Sequence, residues 1–234
     1  MTVRVVRSMV VLLVAVVWVV CANAADVTKG LAGHWRLDEA WGSSVLDDVS
    51  QMYGTVFDAL WTTGISGAGL YFDGVTGYVN LGNAPALNLT QAMTVLLWVQ
   101  LDRVGVEAYE LVRKPGAYTL YAYVARDTCQ IMGSIVIDGK DRYPQGVSSI
   151  PFGEWHMVGF VYGDIDGSGV SRIANVVDGI LGRSALLQGS IQVSDKPLLL
   201  NPRRLDRGFV DELRIYNRAL TGSELLLVYT NQRP

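Results

Sequence analysis

Short apolar or aromatic runs in this chain are broken by Gly, Asp and Asn at intervals of roughly 8–20 residues, the spacing expected of an all-β domain. The candidate strands are 33–38, 69–73, 78–81, 94–101, 109–113, 118–124, 129–137, 155–162, 171–177, 190–193, 197–200 and 209–216. Val176-Val177-Asp178-Gly179-Ile180-Leu181 signals a two-residue hairpin, because Asp-Gly takes the positive φ of a type I′ turn at low cost. Ile135-Val136-Ile137-Asp138-Gly139 suggests another turn of that kind. About a dozen short strands with few helical signals fit two antiparallel sheets packed face to face. The expected fold is therefore all-β, a two-sheet antiparallel sandwich closed by one short C-terminal helix.

The most specific stretch is Gly208-Phe209-Val210-Asp211-Glu212-Leu213-Arg214-Ile215-Tyr216-Asn217-Arg218-Ala219-Leu220. It reads as a strand with Phe209, Leu213 and Ile215 on one face and Glu212 and Arg214 on the other. Asp211 then falls in the apolar register. A carboxylate there must be exposed, hydrogen-bonded, ion-paired or metal-bound, because a bare buried charge is too costly. A helix follows, with Thr221 and Glu224 at capping-box spacing and Leu225, Leu226 and Tyr229 on an apolar side.

The same stretch resembles the closing segment of LamG-like jelly-roll domains, in the concanavalin A-like lectin/glucanase superfamily. Further matches follow in family order. Gly30 to Glu39 resembles the opening strand, and Leu70-Tyr71-Phe72-Asp73-Gly74 with Gly77-Tyr78-Val79 the next landmark. Leu87-Asn88-Leu89-Thr90 leading into Thr94 to Val99 resembles the central strand, and Gly153-Glu154-Trp155-His156-Met157-Val158 a later one. The resemblance implies a jelly-roll sandwich in which the first and last strands lie close together. It also implies a structural calcium held by Asp211 and backbone carbonyls, with Asp38 or Glu39 nearby; oxygen-only ligation of that kind is what calcium prefers.

The first 24 residues read as a signal peptide. Arg4 and Arg7 precede an apolar run from Met9 to Val20, and Ala22-Asn23-Ala24 fits a cleavage site. The run is short for a spanning helix. Retention as an anchor stays open, and so does a lipoprotein at Cys21, although Trp18-Val19-Val20 lacks the small residues of a lipobox. Residues 25–234 form one domain, secreted or extracytoplasmic, with no membrane span after cleavage. Removing the leader takes two arginines and no acid from 19 basic and 22 acidic residues, so a formal charge of −3 becomes −5. That balance argues against nucleic acid as a partner, since its phosphates call for a basic footprint. Cys129 alone remains, so no internal disulfide can form and robustness must come from the core or a metal.

Sugar binding needs flat rings that stack on the C–H faces of the sugar and polar neighbours for its hydroxyls. Tyr109, Arg113, Tyr118, Tyr121 and Tyr143 are the candidates, with Tyr121 and Tyr123 sharing a strand face. Trp35, Trp98 and Trp155 read as packing residues. Asp164-Ile165-Asp166-Gly167-Ser168-Gly169 opens like a calcium loop, but position 12 is Asn175, so a Gly/Asp turn is the expectation. His34 and His156, each beside a Trp, read as structural.

Retaining glucanases of the superfamily carry Glu-x-Asp-x-(x)-Glu on one strand, which places both carboxylates on one side. No Glu in this chain is followed two residues later by Asp, and neither a Gly-x-Ser-x-Gly elbow nor a His-Glu-x-x-His site is present. The expectation is a non-catalytic, exported, lectin-like module that binds glycan and is stabilised by calcium. Two alternatives stay open. One is an adhesive surface protein that contacts a cell-surface protein partner; the other is a glycosidase using Glu107 and Glu110, with Asp102 behind them.

Overall fold

The computed structural model describes residues 26–103, 107–203 and 207–232, so the leader expected at 1–24 lies outside the described residues. The chain runs through β1 (Leu31–Trp35), β2 (Ser44–Leu46), β3 (Tyr53–Phe57), β4 (Leu60–Thr63), β5 (Ala68–Asp73) and β6 (Tyr78–Asn80). After a 3-10 turn at Pro85–Leu87 come β7 (Met93–Leu101), β8 (Ala108–Lys114), β9 (Tyr118–Ala125) and β10 (Thr128–Ile137). Then follow β11 (Lys140–Arg142), β12 (Ser148–Pro151), β13 (His156–Gly163) and β14 (Arg172–Val177). The chain closes with β15 (Ile180–Leu181), β16 (Ala185–Leu186), β17 (Leu199–Leu200), β18 (Arg207–Tyr216) and the helix α1 (Gly222–Gln232).

These strands form two antiparallel sheets. The first runs β15-β14-β13-β7-β18-β5-β4, with β1 beside β18 and β16 beside β14. The second runs β11-β10-β9-β8-β17-β6-β3-β2, with β12 beside β10. The expected sandwich is therefore the one observed, and β1 pairs with the closing strand as the resemblance implies. Strands β2, β3, β4, β11 and β12 escape the sequence reading because they are short and mostly exposed, with little apolar alternation to betray them. Residues 190–193 carry no strand.

The core fills the space between the sheets. Trp35, Val95, Leu97, Val99, Phe160, Leu213 and Ile215 from the first sheet meet Tyr109, Leu120, Ala122, Ile131 and Ile135 from the second. Gly133 is what lets the sheets close at their centre. A Cβ there would lie 2.2 Å from Cγ of Phe160, closer than any real contact, so the Phe160 ring packs directly on the backbone of β10.

On the outer face of the first sheet, α1 buries Leu225 and Val228 against Leu96, Trp98, Met157, Val161, Val176 and Tyr216. Its start has the expected capping box. Glu224 N donates to Thr221 Oγ1 at 3.4 Å, and Thr221 N donates to Glu224 Oε2 at 2.9 Å. Trp98 stacks on Tyr229 at 5.5 Å and donates its indole N–H to Gln232 Oε1 at 3.0 Å. Trp98 thus packs under the helix, whereas Trp35 sits between the sheets.

The register of β18 differs from the simple alternation expected. Opposite β7 it shifts between Asp211 and Arg214, and Glu212 takes φ +54°. One extra residue in a bulge reverses the parity of everything beyond it. Val210 faces the core before the bulge, and Leu213 and Ile215 face it after. Phe209 instead lies outside, against Tyr71 and Trp155. By the same parity Asp211 leaves the core register and joins Phe209 on the outer face of the first sheet.

Candidate functional site

Alternation along the central strands of the second sheet decides which side chains reach solvent. On β9, Tyr118, Leu120 and Ala122 point inward and are buried, whereas Tyr121 and Tyr123 point outward and are half-buried. Glu110 pairs with Tyr121 across β8 and shares its outer face, while Tyr109 pairs with Ala122 and shares the inner one. No α-helix covers this outer face among the described residues, since α1 lies on the other sheet.

The outward groups gather into a polar, aromatic surface. The rings of Tyr121 and Tyr123 are 5.6 Å apart. Tyr143, 43% exposed, joins them beside Ser134 and Asp141. Burial, with Asp141 and the two other tyrosines adding, raises the pKa of the Tyr143 phenol. Burial does the same to Tyr123, with Tyr121 and Glu110 adding. Both phenols therefore stay protonated and serve as donors as well as acceptors. Glu110 is 3% exposed, and two cations neutralise it: Arg113 Nη1 lies at 2.9 Å and Arg203 Nε at 3.1 Å. The carboxylate in turn holds the Arg113 guanidinium at the wall of a cleft of about 280 Å³. Thr119, Tyr121, Asp141 and Gln192 line that cleft too. The Ser134 hydroxyl donates to Asp141 Oδ1 at 3.0 Å. Such a surface offers ring faces for apolar C–H groups and several hydrogen-bonding groups for hydroxyls.

Three of the five expected ligand-binding residues, Arg113, Tyr121 and Tyr143, are thus brought together, and two are not. Tyr109 is fully buried, its hydroxyl donating to the Asp102 carbonyl at 2.8 Å. Tyr118 is 1% exposed, donates to the Leu87 carbonyl at 3.3 Å, and has its pKa raised by burial. Both carry the inward parity of their strands; Tyr118 borders the cleft, but with 1% exposure its ring is not presented to a ligand. Thr119, Ser134, Asp141, Gln192 and Arg203 were missed, and Glu110 was singled out only as a possible catalytic acid. Parity from Tyr121 would have found Thr119, but the others depend on strand pairings that the sequence does not display.

Asp211, expected to hold metal, is 0% exposed. Its Oδ2 accepts from Ser66 N at 3.1 Å, and its Oδ1 is buried with no partner among the described residues. Burial, with smaller contributions from Glu212 and Asp38, pushes its pKa up to about 8. Asp38 Oδ1 accepts from Ala68 N at 2.9 Å, so both carboxylates bind the turn that joins β4 to β5. Gly64 and Gly67 make that approach possible: a Cβ on either would come within 2.3 Å of an Asp211 or Asp38 oxygen. Glu39 does not join them, because its Oε1 accepts from Leu46 N at 2.7 Å, on β2 of the other sheet. Among the described residues no group of three or more His, Cys, Asp and Glu could hold a metal ion. A calcium at Asp211 would therefore rest on Asp211, Asp38 and main-chain oxygens, a hard donor set with one carboxylate oxygen still lacking a partner.

The remaining candidates are tied into structure. His34 Nε2 meets Glu212 Oε2 at 2.8 Å and Arg214 Nε at 3.1 Å, and Arg214 Nη2 pairs with the same Glu212 oxygen at 3.0 Å. Burial alone would raise the Glu212 pKa, but these two partners outweigh it and the net shift is downward. His156 Nδ1 meets Asp178 Oδ2 at 2.8 Å. In the 164–169 loop the backbone N–H groups of Gly169 and Ser168 donate to Asp164 and Asp166, which makes it a turn.

A profile of the concanavalin A-like lectin/glucanases superfamily, of the laminin G type, matches residues 73–226. The chain belongs to that superfamily. No curated protein matches it in sequence. Among solved structures this superfamily member is similar to domain 4 of AbnA, a GH43 extracellular arabinanase from Geobacillus stearothermophilus, in complex with arabinotriose. The TM-score is 0.65 at 17% identity, covering 85% of this chain and 98% of that one. It is similar to the binding domain of Paraclostridial Mosquitocidal Protein 1 at TM-score 0.69 and 12% identity, covering 88% of this chain and 53% of that one. It is similar to Trypanosoma rangeli sialidase at TM-score 0.62 and 20% identity, covering 87% of this chain but 33% of that one. The chain thus spans about half of the toxin domain and a third of the sialidase, and these likenesses are of fold. They overturn the expectation that the chain is not an enzyme, because the structures it resembles include enzymes or their domains. Of the alternative acids, Glu110 lies on the aromatic face, Glu107 is exposed, and Asp102 pairs with Arg207 at 3.3 Å.

Proposed function

We propose that this chain is an exported carbohydrate-binding domain whose ligand lies on the outer face of the second sheet. The observation that carries the reading is the Tyr121–Tyr123 ring pair beside the Arg113–Glu110 ion pair, on a sheet face that no helix covers. In this reading Tyr121 and Tyr123 stack on the C–H faces of a sugar. Arg113 donates to ring or hydroxyl oxygens, and Asp141 and the Tyr143 phenol accept from and donate to hydroxyls. The ion pair to Glu110 fixes the guanidinium in advance, which lowers the ordering cost of binding. The arabinotriose complex of AbnA domain 4 adds support, since that domain covers the same fold over nearly its whole length. Calcium at Asp211 would be structural. It would tie the β4–β5 turn to β18 within the first sheet, on the side of the sandwich opposite this ligand face.

A glycan array probed with the chain lacking residues 1–24, with calcium and with chelator, tests this. Binding to a defined set of glycans in both conditions is expected, weaker in chelator only so far as the fold is weakened. No glycan bound in either condition would refute the reading.

A second reading, contact with a protein partner, has its own observation. Trp41 and Tyr53 are 81 and 70% exposed. A pull-down that survives Tyr121→Ala and fails with Trp41→Ala would favour it.

A further inference from the structure

The first sheet also carries a line of rings. Leu60 pairs with Tyr71, Tyr71 with Phe209 and Phe209 with Gln100, each directly across its neighbouring strand. Trp155 precedes His156, which pairs with Val99, so it stands level with Gln100. The result is a single row across β4, β5, β18, β7 and the start of β13. Its ring centroids are 4.9 Å apart from Tyr71 to Phe209 and 6.2 Å apart from Phe209 to Trp155. At about 4.8 Å per strand the row is roughly 19 Å long. Parity before the bulge, with Val210 turned into the core, explains why Phe209 lies in the row. Helix α1 packs over Leu96, Trp98 and Tyr216, further along the same strands, and the row is left half-exposed, with Leu60 64% exposed at its end.

The polar groups around the row are held in place. Arg207 lies beside the Tyr71 hydroxyl and pairs with Asp102 at 3.3 Å. Gln100 Nε2 donates to the Gly153 carbonyl at 3.0 Å. A stable protein contact needs about 800 Å² on each partner, and a strip one ring wide with charged edges offers far less. A linear chain with apolar faces and hydroxylated edges matches the strip in both shape and chemistry.

We propose that this row is a second carbohydrate-binding surface, so that one domain engages two glycan chains from opposite faces. The inference rests on the reading that the domain binds carbohydrate, and it makes the domain a cross-linker of polysaccharide rather than a single-site binder.

The test uses a short oligosaccharide and a long soluble polysaccharide of the type the array identifies. Calorimetry with the oligosaccharide is expected to give two sites per domain in the unaltered chain. One site should remain after Tyr71→Ala combined with Trp155→Ala, and one after Tyr121→Ala combined with Tyr123→Ala. Light scattering on mixing with the polysaccharide should rise only for the unaltered chain, because bridging needs both faces. Unchanged melting temperatures certify that the variants are folded; Tyr71→Phe combined with Arg207→Gln serves as a milder variant of the row. One site in the unaltered chain that Tyr121→Ala abolishes would overturn the second surface and leave the first reading standing. No binding at all would overturn both. A dimer of the unaltered chain in sedimentation, lost in the row variant, would also overturn it by making the row a self-contact.

Discussion

Asp211 offers the sharpest link between the fold and its proposed ion. Its carboxyl pKa rises from 3.8 to about 8, chiefly because burial penalises the charge. With the metal removed, the folded state keeps this proton at pH values where the unfolded state has lost it. The contribution to stability is fully present below 3.8 and is lost as pH rises through about 8. In that window the loss approaches about 1.4 kcal/mol per pH unit, and over the whole window it is on the order of 5 kcal/mol. For a chain of this size that corresponds to a fall of on the order of 10 °C in melting temperature. Calcium would replace the proton as counter-charge and flatten the slope. Asp211→Asn removes the titrating group and keeps one oxygen ligand. In chelator its melting temperature should fall less than the wild type's from pH 4 to pH 8, and it should exceed the wild type at the upper end. In calcium the order should reverse. Thermal denaturation of both proteins across that range, with chelator and with calcium, reads all four curves. Parallel wild-type and variant curves in chelator would refute the pKa argument, and a wild-type curve indifferent to calcium would refute the ion.

Three further outcomes follow from the packing. Gly133→Ala should destabilise by about 1–3 kcal/mol in urea unfolding, since its Cβ meets the Phe160 ring, and Phe160→Leu in the same chain should recover part of that cost. Trp98→Ala, which loses both the Tyr229 stack and the Gln232 hydrogen bond, should cost about 3–5 kcal/mol and expose the seat of α1 to proteolysis. Glu110→Gln releases the charge that holds Arg113; glycan affinity measured by calorimetry should fall about tenfold while melting changes little.

Much of the architecture was legible because it depends on local pattern. The long central strands announce themselves by apolar runs, and the capping box at Thr221 and Glu224 sets the start of α1. Short edge strands such as Ser44–Leu46 were not legible, since three mostly exposed residues leave no periodic trace. Asp211 was singled out as a carboxylate in an apolar strand, and it is buried, but its register was misjudged. A bulge is a property of two paired strands, and only the pairing with β7 shows that Glu212 is the extra residue. The site divides in the same way. Tyr121 and Tyr123 share a face by simple alternation. Tyr109 and Tyr118 could have been rejected by the same rule carried across β8 and β9, which makes that miss one of reasoning. Asp141 and Arg203 could not have been found, because each reaches the face from a different part of the chain. Catalysis was set aside on missing motifs, and the structures of this fold nevertheless include a domain of an arabinanase and a sialidase.

The central claim is that carbohydrate binds across Tyr121 and Tyr123. The direct measurement is the affinity of Tyr121→Ala combined with Tyr123→Ala for each glycan that the unaltered chain binds, taken beside the melting temperatures of both proteins. Removing both ring faces on which the sugar C–H groups pack is expected to weaken binding at this face at least tenfold, about 1.4 kcal/mol or more. The account predicts that loss with melting unchanged within a few degrees. Full affinity at every site in a folded double variant would contradict it.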